Sequence, residues 1–71
     1  MRAFRLKKRN TRTNKVTNQR DYVEIEALQR YGRDCWSRYE WRDSVAELYE
    51  KIEGKWVLLS QEIALTLMGI Q

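Results

Sequence analysis

Eight cationic side chains, Arg2, Arg5, Lys7, Lys8, Arg9, Arg12, Lys15 and Arg20, fall within the first twenty residues, and no carboxylate accompanies them. Residues 21–71 hold the other six basic residues and all ten acids, so a segment of +8 precedes a body of −4, and the net charge of +4 conceals both. Lysine and arginine neutralise phosphates without needing a fixed backbone conformation, and each neutralised phosphate releases condensed counterions. The Asn, Thr and Gln residues spaced between these cations can hydrogen-bond phosphate, sugar or base edges. This pattern predicts sequence-independent contacts to a DNA or RNA backbone. The competing account is a solvated basic loop that maintains solubility and pairs with the acidic body, or that meets an acidic protein partner.

A second constellation interleaves arginines with aromatics in RYGRDCWSRYEWR, residues 30–42. Trp36, Tyr39, Trp41 and Arg38 could form a stacking platform for unpaired bases or anchor a protein interface. The alternative is that so small a chain spends its Trp and Tyr on the core, with arginine stems covering the ring edges. Cys35 reads as a small core or boundary residue.

The missing residue types exclude other chemistry. There is no histidine, so no Ser-His-Asp or Cys-His arrangement can form, and one cysteine permits neither an internal disulfide nor a Cys/His zinc site. Gly32, Gly54 and Gly69 are isolated, so no Gly-rich loop is available to cradle a phosphate. No catalytic residue, metal or cofactor is expected, and the chain reads as a non-enzyme. With neither an apolar leader segment nor a run approaching a membrane span, it is expected to be soluble and cytoplasmic, without a membrane partner.

RLKKRNTRTNKVTNQR, residues 5–20, resembles in composition the arginine-rich arms of small RNA-binding and ribosome-associated proteins, which implies RNA contact. LSQEIALTLMGI, residues 59–70, resembles the first helix and turn of a helix-turn-helix unit. No recognition helix follows before Gln71, so that segment is read as a capped amphipathic helix packed on the body.

These groups must be positioned by a single small domain, 1–71, divided into a basic strand and loop at 1–20 and an aromatic-rich body at 21–71. A chain of this size buries only about 60% of its unfolded surface, so a homodimer or another partner could support it. Phe4 and Leu6 alternate with Arg5 and Lys7 as a strand over 2–8 would, whereas residues 10–20 show neither structural period and read as a loop or flexible arm. Val-Glu-Ile-Glu predicts a strand at 22–26, with helical turns near 27–33. Residues 44–53 fit either a capped helix or part of a hairpin turning at Glu53-Gly54. The apolar run Trp56–Leu59 favours the hairpin and is expected to be well buried. Ser60 caps a helix over 61–68 that Gly69 ends. The expected class is α+β, a small antiparallel sheet with one or two short helices. Its alternative is three short helices, 22–31, 44–53 and 61–68, behind a disordered basic arm.

The functional expectation is a small nucleic-acid-binding accessory protein. The second expectation, from a different class, is a protein-binding modulator or inhibitor of a host enzyme, of the phage or mobile-element type, motivated by the abundance of Tyr, Trp and Arg.

Overall fold

A computed structural model describes residues 2–70; Met1 and Gln71, the two ends of the expected domain, lie outside it. The fold is α+β. Strands β1 (Phe4–Asn10), β2 (Val16–Tyr22), β3 (Ser44–Ile52) and β4 (Lys55–Leu58) form an antiparallel sheet in the order β2-β1-β3-β4. Between β2 and β3 runs a helical stretch made of α1 (Ile25–Ala27), a π-helical turn (Leu28–Gly32) and α2 (Arg33–Tyr39), and α3 (Gln61–Leu67) follows β4.

Alternation along the two inner strands decides where the core lies. Phe4 and Leu6 of β1, with Ala46 and Leu48 of β3 and Tyr22 of β2, point to one face. Leu28, Cys35, Trp36 and Tyr39 from the helical stretch and Ala64 and Met68 from α3 complete the core over that face. Trp36 and Tyr39 sit three residues apart on α2, which puts both rings on its inner side. Ser60 caps α3, its hydroxyl accepting from the Ile63 amide at 3.2 Å, and Gly69 leaves the helix at φ +73°. The β3–β4 turn is Glu53-Gly54, both at positive φ as a two-residue hairpin turn requires.

Three expectations need correction. Residues 10–20 are not a flexible arm: after a five-residue turn, 16–20 continue as β2. This strand shows no apolar alternation because it is a sheet edge exposed on both faces, and only Tyr22 at its end is buried. Its stability comes from the ladder to β1 and from an Asn-built turn. The Asn10 side chain accepts from the Arg12 and Thr13 amides at 2.8 and 3.0 Å, and Asn14 takes the left-handed conformation at φ 59°. The strand expected at 22–26 is displaced, ending at Tyr22, and the helical turns expected near 27–33 extend from Ile25 to Tyr39. Gly32 therefore does not stop a helix but lies inside one. Finally, β4 is not well buried. It is a four-residue edge that pairs only with β3, leaving Val57 and Leu58 exposed and Trp56 and Leu59 half-buried. The three-helix alternative is excluded, because residues 44–52 are extended and the basic segment forms two paired strands.

Gly32 shows how tightly the π-helical turn packs on its own Leu28 side chain. It has ordinary helical dihedrals, yet a Cβ there would lie 2.8 Å from the Leu28 Cδ1 and 3.6 Å from the Met68 Sδ. Both neighbours are fully buried and have little room to yield. Gly32→Ala is expected to lower unfolding free energy by about 1–3 kcal/mol through overpacking, despite alanine's helix propensity advantage of up to about 1 kcal/mol. Urea unfolding measures this, and a stabilised variant would contradict the packing described.

Candidate nucleic-acid interface

The strand alternation that buries Phe4 and Leu6 sends Arg5, Lys7 and Arg9 to the opposite, open face of the sheet. Here the chain supplies its own partners. The Arg5 guanidinium grips Asp21 on β2 with two parallel hydrogen bonds of 2.9 Å, and its Cζ lies 4.2 Å from the centroid of the Trp56 ring on β4. Lys7 places its ammonium 4.5 Å from the Tyr49 ring centroid. The Tyr49 hydroxyl donates to Glu47 Oε1 at 3.0 Å, and the same oxygen accepts from Arg9 Nε at 3.0 Å. Arg9 also donates to the Asn14 carbonyl, bracing the hairpin.

Arg2 pairs with Glu50 at 2.9 Å, and Arg12 with Asp43 at 3.4 Å. Four of the eight cations proposed for phosphate contact, Arg2, Arg5, Arg9 and Arg12, thus already have a carboxylate. Solvent screens pairs of this kind, so they add little to stability. Their electrostatic consequence is local neutralisation. A hydrogen bond from Arg5 holds the Asp21 carboxyl below its ordinary pKa, and the same contact raises that of Arg5.

Lys8, Lys15 and Arg20 lie outside every ion pair among the described residues. Lys8 and Arg20 share the parity of Leu6, being paired Lys8 with Asn18 and Leu6 with Arg20, so they face the helix side of the sheet. Lys15 sits at the hairpin between β1 and β2, its carbonyl accepting from the Asn10 amide at 2.8 Å. Beside Lys8 opens a shallow groove of about 330 Å³. Lys8, Asn10, Thr17 and Asn18 on the hairpin line it together with Trp41 and Arg42 in the α2–β3 turn. Thr11 ties hairpin to turn, donating to the Asp43 carbonyl from its amide at 2.8 Å and its hydroxyl at 3.1 Å.

The aromatic constellation divides. Trp36 and Tyr39 are buried in the core, where their rings meet neighbouring side chains and not solvent. Trp41 is 64% exposed and stands at the groove. Arg38 pairs with Asp34 one helical turn away at 3.2 Å and is not part of the groove. Sequence reasoning placed Arg42 in the aromatic-rich stretch without giving it a role, and it counted Asn10 and Asn18 only among the polar residues spaced between the cations. The available signal was the Trp-Arg-Asp-Ser turn beside a basic hairpin. Cys35 is a buried free thiol. The described residues contain no group of three metal-ligating side chains, and no helix is long and apolar enough to cross a membrane.

Burial raises the Tyr39 phenol to about 12, with the neighbouring Cys35 thiol adding to the shift and Arg20 opposing it. The folded state therefore favours the neutral phenol more than the unfolded chain, whose tyrosines ionise near 10. That contribution is complete below about pH 10 and is lost as pH rises through about 12. Denaturation followed against pH should show a stability loss in this window, smaller in Tyr39→Phe. An equally steep loss in the variant would show that Tyr39 is not buried as described.

No protein-family model matches this sequence, and neither the curated proteins nor the solved structures give a match to it.

Proposed function

We propose that this protein is a non-enzymatic nucleic-acid-binding accessory protein that holds the phosphate backbone from the helix side of its β1–β2 hairpin. The observation that carries the reading is the sorting of its cations. Lys8, Lys15 and Arg20 remain without carboxylates, Arg2, Arg5, Arg9 and Arg12 are internally paired, and Lys7, also without a carboxylate, lies against the Tyr49 ring on the open face. Arg42 joins the unpaired group at the groove wall. A phosphate approaching the paired arginines must compete with an existing carboxylate, whereas the unpaired cations exchange only water and counterions. The hairpin is a two-stranded ribbon anchored through Phe4 and Leu6, so these charges project from a fixed base and lose little conformational freedom on binding.

The second reading is a protein-binding modulator, and it is favoured by the edge at β4. Val57 and Leu58 are exposed there, and the outer side of the strand has no partner among the described residues. Affinity capture with and without nuclease separates the two: a partner retained after nuclease supports the modulator, and loss of all bound material supports nucleic acid.

Lys8→Gln/Lys15→Gln/Arg20→Gln should weaken binding to a mixed-sequence duplex at about 50 mM salt by ten-fold or more. Arg2→Gln/Arg12→Gln, which removes two cations already paired, should weaken it by less than about three-fold. Fluorescence anisotropy measures both. Equal losses from the two variants would contradict the division of roles, and an undetectable wild-type complex would reject nucleic-acid binding.

A further inference from the structure

The groove between hairpin and turn offers more than charge, because its wall carries an aromatic ring with no partner in the core. Small domains gain stability chiefly by burying aromatics, and Trp36 obeys that rule at 6% exposure. Trp41 does not, although it lies only two residues beyond the buried Tyr39.

Its position is fixed and not frayed. The Trp41 amide donates to the Tyr39 carbonyl at 3.0 Å, and the Trp41 carbonyl accepts from the Ser44 amide at 3.1 Å. The buried Ser44 hydroxyl lies 2.5 Å from the Tyr39 carbonyl and 2.7 Å from that of Trp41. Arg42 then takes the left-handed conformation at φ 54°. A glycine would occupy that position without steric cost, so arginine sits there against local backbone preference. The turn thus presents an indole with a guanidinium over one face, Arg42 Cζ lying 5.8 Å from the Trp41 ring centroid, and the other face is left for a base.

Opposite them, the Asn18 side chain makes no hydrogen bond among the described residues, and the Asn10 amide nitrogen is uncommitted while its oxygen holds the turn. The one carboxylate in the groove, Asp43, is paired with Arg12. An exposed ring for stacking, unpaired cations at Lys8 and Arg42 and free amide groups are the requirements for holding a base together with its phosphate. Duplex DNA cannot satisfy the ring, since its bases are already stacked.

We infer that the groove beside Trp41 binds single-stranded nucleic acid, with one base stacked on the indole and the adjoining phosphates held by Lys8 and Arg42. This deepens the phosphate-binding reading and rests on it. Asn10 and Asn18 reach the edge of the stacked base. DNA and RNA strands share the chemistry the groove recognises.

The test titrates the protein with a twelve-nucleotide oligo(dT), with oligo(U) of the same length and with a twelve-base-pair duplex, at about 50 mM salt where backbone contacts are strong. The wild type should bind at least one of the single strands with quenching of tryptophan emission. Trp41→Ala should lose that quenching and bind the strand about ten-fold more weakly, within the range of one lost base stack. Duplex affinity should change less than two-fold, and Trp41→Phe should recover part of the single-strand binding. If Trp41→Ala binds both kinds of ligand as the wild type does, or loses both equally, stacking is overturned while the phosphate reading stands. If the wild type binds neither, both fall together.

Discussion

The structure depends on the placement of β1 as an inner strand. Because successive side chains of a strand point to opposite faces, inserting FRLKKRN between β2 and β3 commits Phe4 and Leu6 to the core and forces Arg5, Lys7 and Arg9 onto the open face. Three adjacent cations on one sheet surface would repel each other if left alone. Asp21, Glu47, Tyr49 and Trp56 answer them from the other three strands. On the open face Arg5 and Arg9 are therefore neutralised by carboxylates of the same chain and Lys7 rests on the Tyr49 ring, while Lys8, Lys15 and Arg20 keep their charge elsewhere.

That placement also bears on the binding role proposed for the hairpin in so small a protein. A free arm of the same composition would lose conformational freedom along its whole length when it bound. Here the cost of ordering is met on folding, through the ladder between β1 and β2, the Asn10 turn and the Thr11 contacts to Asp43. The last of these links the hairpin to the turn that carries Trp41, so the two walls of the groove are held by one network. The β-bulge between Lys8 and Arg9 lies on the hairpin wall, where an irregularity in the ladder re-aims side chains.

Much of this was legible in the residues and part of it was not, for reasons particular to each element. Phe4 and Leu6 announced β1 because a half-buried strand must alternate, and Ser60 with Gly69 announced α3 because helix ends need a cap and a left-handed exit. β2 gave no such signal, since an edge strand exposed on both faces has no apolar period to show; its polar VTNQRDY looks like a loop until its partner is known. β4 misled in the opposite direction, its apolar run suggesting burial that an edge strand does not receive. The site was half visible. Charge clustering located the hairpin, but which cations were free depended on cross-strand neighbours such as Asp21 and Glu47, which lie far from Arg5 and Arg9 in sequence. The fate of Trp41, so close to Trp36 and Tyr39, depended on where α2 stopped.

The central claim is that only the cations with neither a carboxylate nor an aromatic partner on the open face reach phosphate, and the salt dependence of binding to a mixed-sequence duplex tests it most directly. The slope of log K against log salt is about −0.9 for each phosphate neutralised. Contacts from Lys8, Lys15, Arg20 and Arg42 alone give a slope of about −3 to −4. A slope near −7, as expected if all eight cations of residues 1–20 engage, would show that the internal ion pairs open on binding and would contradict the account.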